Sequence, residues 1–230
     1  ISNVVLSAAC KAGVSGNSYL GIGGGTVNLG PVSLSSSIAT GTLSITGGTV
    51  TMGGDISQGA GGRGVLTLTG GTLDLQNHVI GTAGAPINAL NFQSGTLMNV
   101  ADINGGGALV KTKGGTLTMA GANAYTGGTS NRAGILQLTA DNVLGTGPLF
   151  QSGGTLASDS ATARQLTNAV VFTGASGMGS AVNPGQLTLS GPLDFTAAAR
   201  GITNFSDVLF TGSSGNGGLG NKFGAGTMTF

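Results

Sequence analysis

The phrase Gly-Gly-Thr followed by alternating apolar residues recurs along this chain at a near-constant interval. It stands at Gly24-Gly25-Thr26-Val27-Asn28-Leu29, again at Gly47-Gly48-Thr49-Val50-Thr51-Met52, and again at Gly70-Gly71-Thr72-Leu73-Asp74-Leu75, each copy 23 residues after the last. Weaker copies follow at Gly95-Thr96-Leu97, Gly115-Thr116-Leu117-Thr118-Met119, Gly134-Ile135-Leu136-Gln137-Leu138 and Gly154-Thr155-Leu156, at Gly-to-Gly steps of 24, 20, 19 and 20. A unit this short cannot bury an apolar face alone. It buries one by stacking on the next unit, which is the solenoid solution.

Within each unit apolar and polar residues alternate strictly, as in a strand with one buried face. Leu43, Ile45, Val50, Met52, Leu66, Leu68, Leu73, Leu75, Leu117, Met119, Leu136 and Leu138 fall in phase and are the expected interior. Thr49, Thr72 and Thr116 fall on the opposite phase and are expected to face outward in one stack. Residues 41–52 and 64–75 align without a gap, each holding two short strands around a Gly-Gly corner. The arc Asp55-Ile56-Ser57-Gln58-Gly59 has room for a third, shorter strand. Equivalent strands of successive coils then pair in parallel about 4.8 Å apart, and the rest of the coil supplies the long return that parallel pairing needs. The expected fold is all-β: a right-handed parallel β-helix, or solenoid, with 20–24 residues per coil. A hairpin meander competes, but it wants Asn-Gly or Asp-Gly turns between strands. Only Asn104-Gly105 and Asn216-Gly217 qualify.

One domain, 1–230, is expected, because a solenoid has no natural size limit. The register is best over 20–157 and looser over 158–230. The 31-residue step from Gly154 to Gly185 reads as one coil with an inserted loop, and 211–221 reads as a surface loop. The start at Ile1 fits a processed chain or an excised fragment better than an intact cytosolic product.

Composition excludes several function classes. The net charge of +1 gives no electrostatic case for nucleic acid as a partner. No run of 18 apolar residues exists, so no transmembrane helix is expected. With 39% hydrophobic residues the chain can build a core despite its 47 glycines. Cys10 is the sole cysteine, so an intrachain disulfide is impossible; it is either a small buried residue, or an intermolecular bridge or reactive thiol near an end of the fold.

Chemistry is sparse. His78 is the sole histidine, with Asp74 four residues before it, and a Ser-His-Asp triad would have to use it. No Gly-x-Ser-x-Gly nucleophile elbow is present. Metal sites need clustered ligands, and the seven Asp, at 55, 74, 102, 141, 159, 194 and 207, are dispersed. The loose glycine-rich stretch Gly59–Gly64 lacks the following helix that a phosphate loop requires. Polysaccharide cleavage calls for paired carboxylates, and the strand-borne charges Asp74, Lys111 and Asp194 are too far apart in sequence to supply them. There is no Trp, and the only tyrosines are Tyr19 and Tyr125, so aromatic sugar platforms are scarce. No catalytic site, cofactor or metal is expected. The uncharged β-prone ends, Ile1–Ser7 and Gly226–Phe230, are edges that template strand addition. Contact between two different ends is heterologous and propagates into a filament. Cys10, Met228 and Phe230 are the candidate intermolecular contacts.

The stretch GGALVKTKGGTLTMAGANAYTGGTSNRAGILQL, ending at Leu138, carries a longer motif. Leu109, Lys111, Gly115-Thr116-Leu117, Met119, Gly121, Asn123, Tyr125, Gly127-Gly128-Thr129, Ala133-Gly134, Leu136 and Leu138 match it in order. It resembles the autotransporter-associated β-strand repeat, also called the passenger-associated transport repeat. Lys113 and Asn131-Arg132 depart from that pattern and are expected to lie outside the strands. The resemblance implies a bacterial cell-surface or extracellular location and a non-enzymatic β-helix that acts as a rod or fibre scaffold. Its expected partners are further copies of itself, through the terminal coils, and cell-surface or host components. The alternatives are a fragment of an adhesin-type autotransporter passenger and a carbohydrate-active β-helix enzyme.

Overall fold

The computed structural model describes the backbone of Val4–Leu6 and Cys10–Lys11 and all atoms of residues 17–35 and 39–230. The described residues form strands, turns and bends and no helix. They divide into two compact units, Ile1–Ala108 with Ala122–Thr126, and Leu109–Gly121 with Gly127–Phe230. Each unit is a parallel β-solenoid.

In the first unit, strand Ser18–Leu29 pairs with Thr40–Met52, whose two halves pair onward with Arg63–Leu68 and Thr72–Asp74. Those strands carry Ala89–Phe92 and Gly95–Met98 on the next coil. Every pairing is parallel, and like meets like: Leu43 beside Leu66, Val50 beside Leu73, Thr49 beside Thr72. The arc after the second strand forms a sheet of its own, from Cys10–Lys11 through Val32–Leu34, Ile56–Gln58 and Val79–Ile80 to Asp102–Ile103. The third strand expected around Ile56 is therefore present. Val4–Leu6, within the N-terminal β-prone run, pairs with Val27–Leu29 of its own unit.

The second unit repeats this plan. One sheet runs from Thr116–Ala120 through Ile135–Leu138, Thr155–Ser158, Ser176–Met178 and Ala199–Asn204 to Gly218–Phe223. A second runs from Leu109–Lys111 to Ser214–Gly215, and a third from Arg164–Leu166 to Met228–Thr229. The register corrects two expectations. The strand after Gly185, Leu187–Leu189, pairs with Arg164–Leu166 in the third sheet. Gly185 and Gly154 therefore occupy different positions on the coil, and the step between them is no measure of coil length. Residues 214–215 and 218–221 of the stretch expected to be a loop lie in strands, Ser214–Gly215 and Gly218–Phe223.

All twelve expected interior side chains are buried, none more than 1% exposed. Thr26, Thr49, Thr72 and Thr96 form one outward column in the first unit. Thr116 holds the same kind of position in the second, beside Ile135, which in turn lies beside Thr155.

The corner between the two strands explains the Gly-Gly-Thr phrase. Gly48, Gly71 and Gly95 have φ of 75°, 70° and 99°, the left-handed region that costs an L side chain. A Cβ at Gly48 or Gly71 would also lie 2.5 Å from the carbonyl oxygen of the equivalent glycine one coil below. Both the dihedral and the stacking distance thus exclude any other residue. Side chains tie the turns as well. Asp55 accepts from the Val79 N–H (3.0 Å), Asn88 from Gly64 N–H (2.9 Å), Asp141 from Gln165 N–H (2.8 Å) and Asp207 from Thr227 N–H (2.8 Å). Each bond joins adjacent coils, so a carboxylate or amide satisfies a backbone donor in or beside a strand.

Replacing Leu68 with Asp places an unpaired charge in this interior and should abolish cooperative folding. Thr49→Asp, on the exposed column, should change stability by no more than about 0.5 kcal/mol. Thermal unfolding followed by circular dichroism reads both. A native-like melt for Leu68→Asp would overturn the register.

Candidate functional site

The one imidazole pairs across coils rather than along the strand. His78 Nδ1 lies 3.3 Å from Asp55 Oδ1, and both side chains are substantially exposed. Asp74 instead accepts from the Gln76 N–H (3.0 Å), from Gln76 Nε2 and from Asn99 Nδ2 (2.8 Å). The structure therefore does not bring Asp74 to His78. Asp55 and Asp102 stand on either side of Val79, two coils apart in register. Among the described residues no three His, Cys, Asp or Glu side chains gather as metal ligands would. Asp194 caps its own turn, accepting from Thr196 N–H at 2.6 Å. Each of these carboxylates accepts a hydrogen bond from a backbone N–H.

The candidate intermolecular contacts sit at sheet margins. Cys10 lies in a strand that pairs with Val32–Leu34, and its side chain is outside the described residues. Met228 is half-buried and pairs with Val208. Phe230 is 66% exposed, but one face of its ring stacks on Phe210, with centroids 5.0 Å apart. Phe210 in turn meets Phe172 edge-on at 6.4 Å, and Phe172 stacks on Phe195 at 5.0 Å. The last aromatic thus extends an internal column of the second unit.

A polar column inside the second unit escaped the sequence reading. Lys111, Asn131 and Gln151 are register neighbours on three successive coils, and all three are fully buried. Lys111 Nζ donates to Lys113 O at 2.7 Å, and Asn131 Nδ2 donates to Thr155 O at 3.0 Å. The room comes from corner glycines. A Cβ at Gly134 would lie 2.6 Å from Lys111 Nζ, and one at Gly154 would lie 2.1 Å from Asn131 Oδ1. Asn131 is a strand residue, which corrects the expectation that it lies outside the strands. The signal was available: alternation from Leu109 inward and Val110 outward turns Lys111 inward. Gln151 Nε2 and Oε1 and Asn131 Oδ1 have no hydrogen-bond partner among the described residues.

Burial pushes the Lys111 ammonium below its ordinary pKa of 10.5. The unfolded chain then binds more protons than the folded one between the lowered value and 10.5, so stability should rise with pH across that window. The Lys111→Met variant should lack this rise. Denaturant titrations of both proteins from neutral pH to pH 10 measure it, and parallel curves would overturn it.

No family model matches the chain, and no solved structure matches it. The chain is similar to the Adhesin BmaC autotransporter of Brucella suis biovar 1 (strain 1330), with 39% identity over 85 residues. That stretch is 34% of this chain and 2% of the adhesin, so the chain spans only a small part of that relative's length. A β-solenoid with this partial likeness fits an autotransporter passenger-type protein. No helix among the described residues is long and apolar enough to cross a membrane.

Proposed function

We propose that this chain is a length of solenoid from the passenger of a bacterial autotransporter, displayed at the cell surface, where it serves as a non-enzymatic scaffold of adhesin type. The observation that carries the reading is the likeness to an autotransporter adhesin in a chain whose coils stack as a β-solenoid. The carboxylates support a structural role, because Asp55, Asp74, Asp141, Asp194 and Asp207 accept hydrogen bonds from backbone N–H groups. The motif from Leu109 to Leu138 supports the finer assignment to the autotransporter-associated repeat. Antibodies raised against the 230-residue chain should label intact source cells, and brief protease treatment of those cells should remove the label. Label that emerges only after lysis would overturn surface display. Turnover of a polysaccharide or ester that vanishes in His78→Ala or Asp74→Ala would overturn the non-enzymatic reading.

Self-association is the second reading. Ser214–Gly215, Gly218–Phe223 and Met228–Thr229 are each paired on one side only among the described strands, and Phe223 is 55% exposed. Unpaired strand edges template further pairing. A chain that continued would offer the same edge to its own next coil. Sedimentation of the 230-residue chain at rising concentration should reveal oligomers that grow without closing. A single monomeric species throughout would refute assembly through these strands.

A further inference from the structure

The outward column Thr155, Gly177, Thr203, Phe223 of the second unit is broken at its second member. The coil that carries Gly177 presents only Ala175, Ser176 and Gly177 there, while the coils on either side present Thr155 and Thr203. The result is a notch of about 280 Å³ with Gly177 at its floor and Phe205 along one side. The threonine columns flanking it are two coil spacings apart, about 10 Å. Phe205 is 45% exposed, and its N–H donates to Met178 O at 2.8 Å, which fixes the backbone that presents the ring. A Cβ at 177 would lie 2.2 Å from Thr155 Oγ1, so that hydroxyl overhangs space a side chain would otherwise occupy.

The lining selects a ligand class. It contains no charged side chain, so neither an anion nor a cation finds a counter-charge in it. The Ser176 hydroxyl is spent on Gly174 O at 3.2 Å. The Thr155 hydroxyl lies over Gly177 and Thr203 lines the same notch; a threonine hydroxyl can both donate and accept. A wholly apolar ligand would desolvate them without return. The notch is shallow and open to solvent, so it covers one face of a ligand rather than enclosing it, which suits a single ring lying flat. A ring with an apolar C–H face and a perimeter of uncharged hydroxyls meets all of these conditions at once. The aromatic face takes the C–H side, and the threonines take the hydroxyls.

We propose that this notch binds a single ring of a neutral sugar, with Phe205 against its C–H face and Thr155 and Thr203 on its hydroxyls. The proposal goes beyond surface display and does not depend on it, since display is read on cells and this site on the purified chain. Amide chemical shifts of the 15N-labelled 230-residue protein are recorded with glucose, galactose, N-acetylglucosamine, N-acetylneuraminic acid and N-acetyltyrosinamide in turn. A neutral sugar should shift amides at 175–177 and 203–205 with a Kd on the order of millimolar. Phe205→Ala and Phe205→Leu should each weaken it roughly tenfold. The leucine variant keeps apolar volume and loses only the aromatic face, so it separates recognition from packing. Three outcomes would overturn the proposal. They are no shift at these residues with any neutral sugar, equal affinity in a natively folded Phe205→Leu, and a response confined to the acidic sugar or the tyrosine amide.

Discussion

Within each unit a coil lies directly on the one before it, held by backbone hydrogen bonds that run between coils. This places every residue against its own equivalent one coil away. The geometry is unforgiving at corners, where there is no second layer to absorb a side chain. Gly48 and Gly71 have the glycine carbonyl of the neighbouring coil within 2.5 Å of where a Cβ would stand, and both sit at φ near 70°. One constraint thus recurs at every turn of the solenoid and writes itself into the sequence as a repeat. Like-on-like stacking also fills the interior. Leu43 beside Leu66 and Val50 beside Leu73 give columns of apolar side chains that extend for as long as the coils repeat.

The strands and the core were legible because two periods coincide. Period two fixes the face, and the coil period fixes the partner. Where they part, the reading failed for identifiable reasons. Gly185 matched the consensus corner locally, but its strand belongs to a different sheet from the one after Gly154. Residues 214–223 are rich in Gly and Ser, which reads as loop, yet Ala199–Asn204 and Leu193–Asp194 supply ready-made edges for them. Long-range pairing overrides weak local propensity there. Lys111 was read as a strand-borne charge and not as part of the interior, since lysine is rarely buried. Its own strand alternation pointed inward, and the corner glycines make the space.

The candidate site was less legible, because contacts between coils join residues some two dozen positions apart. His78 lies four residues from Asp74 in sequence, but Asp55, on the preceding coil, is its partner. The aspartates, dispersed along the chain, do the same kind of work on different coils. The notch at Gly177 has no sequence signal of its own. It exists because a coil with small residues lies between two coils with larger ones, and only the register reveals which coils those are.

The hydrogen bonds between coils point along the axis of each unit, and this decides how the molecule answers force. Tension along that axis loads these bonds in sequence, one coil at a time, rather than shearing a whole sheet at once. Each coil that peels away releases its contour, about 70–80 Å for a repeat of this length, while the coils beneath keep their own neighbours. A tether built this way lengthens in discrete increments under load. It dissipates work at each increment and re-forms from the edge of the last intact coil when the load is removed.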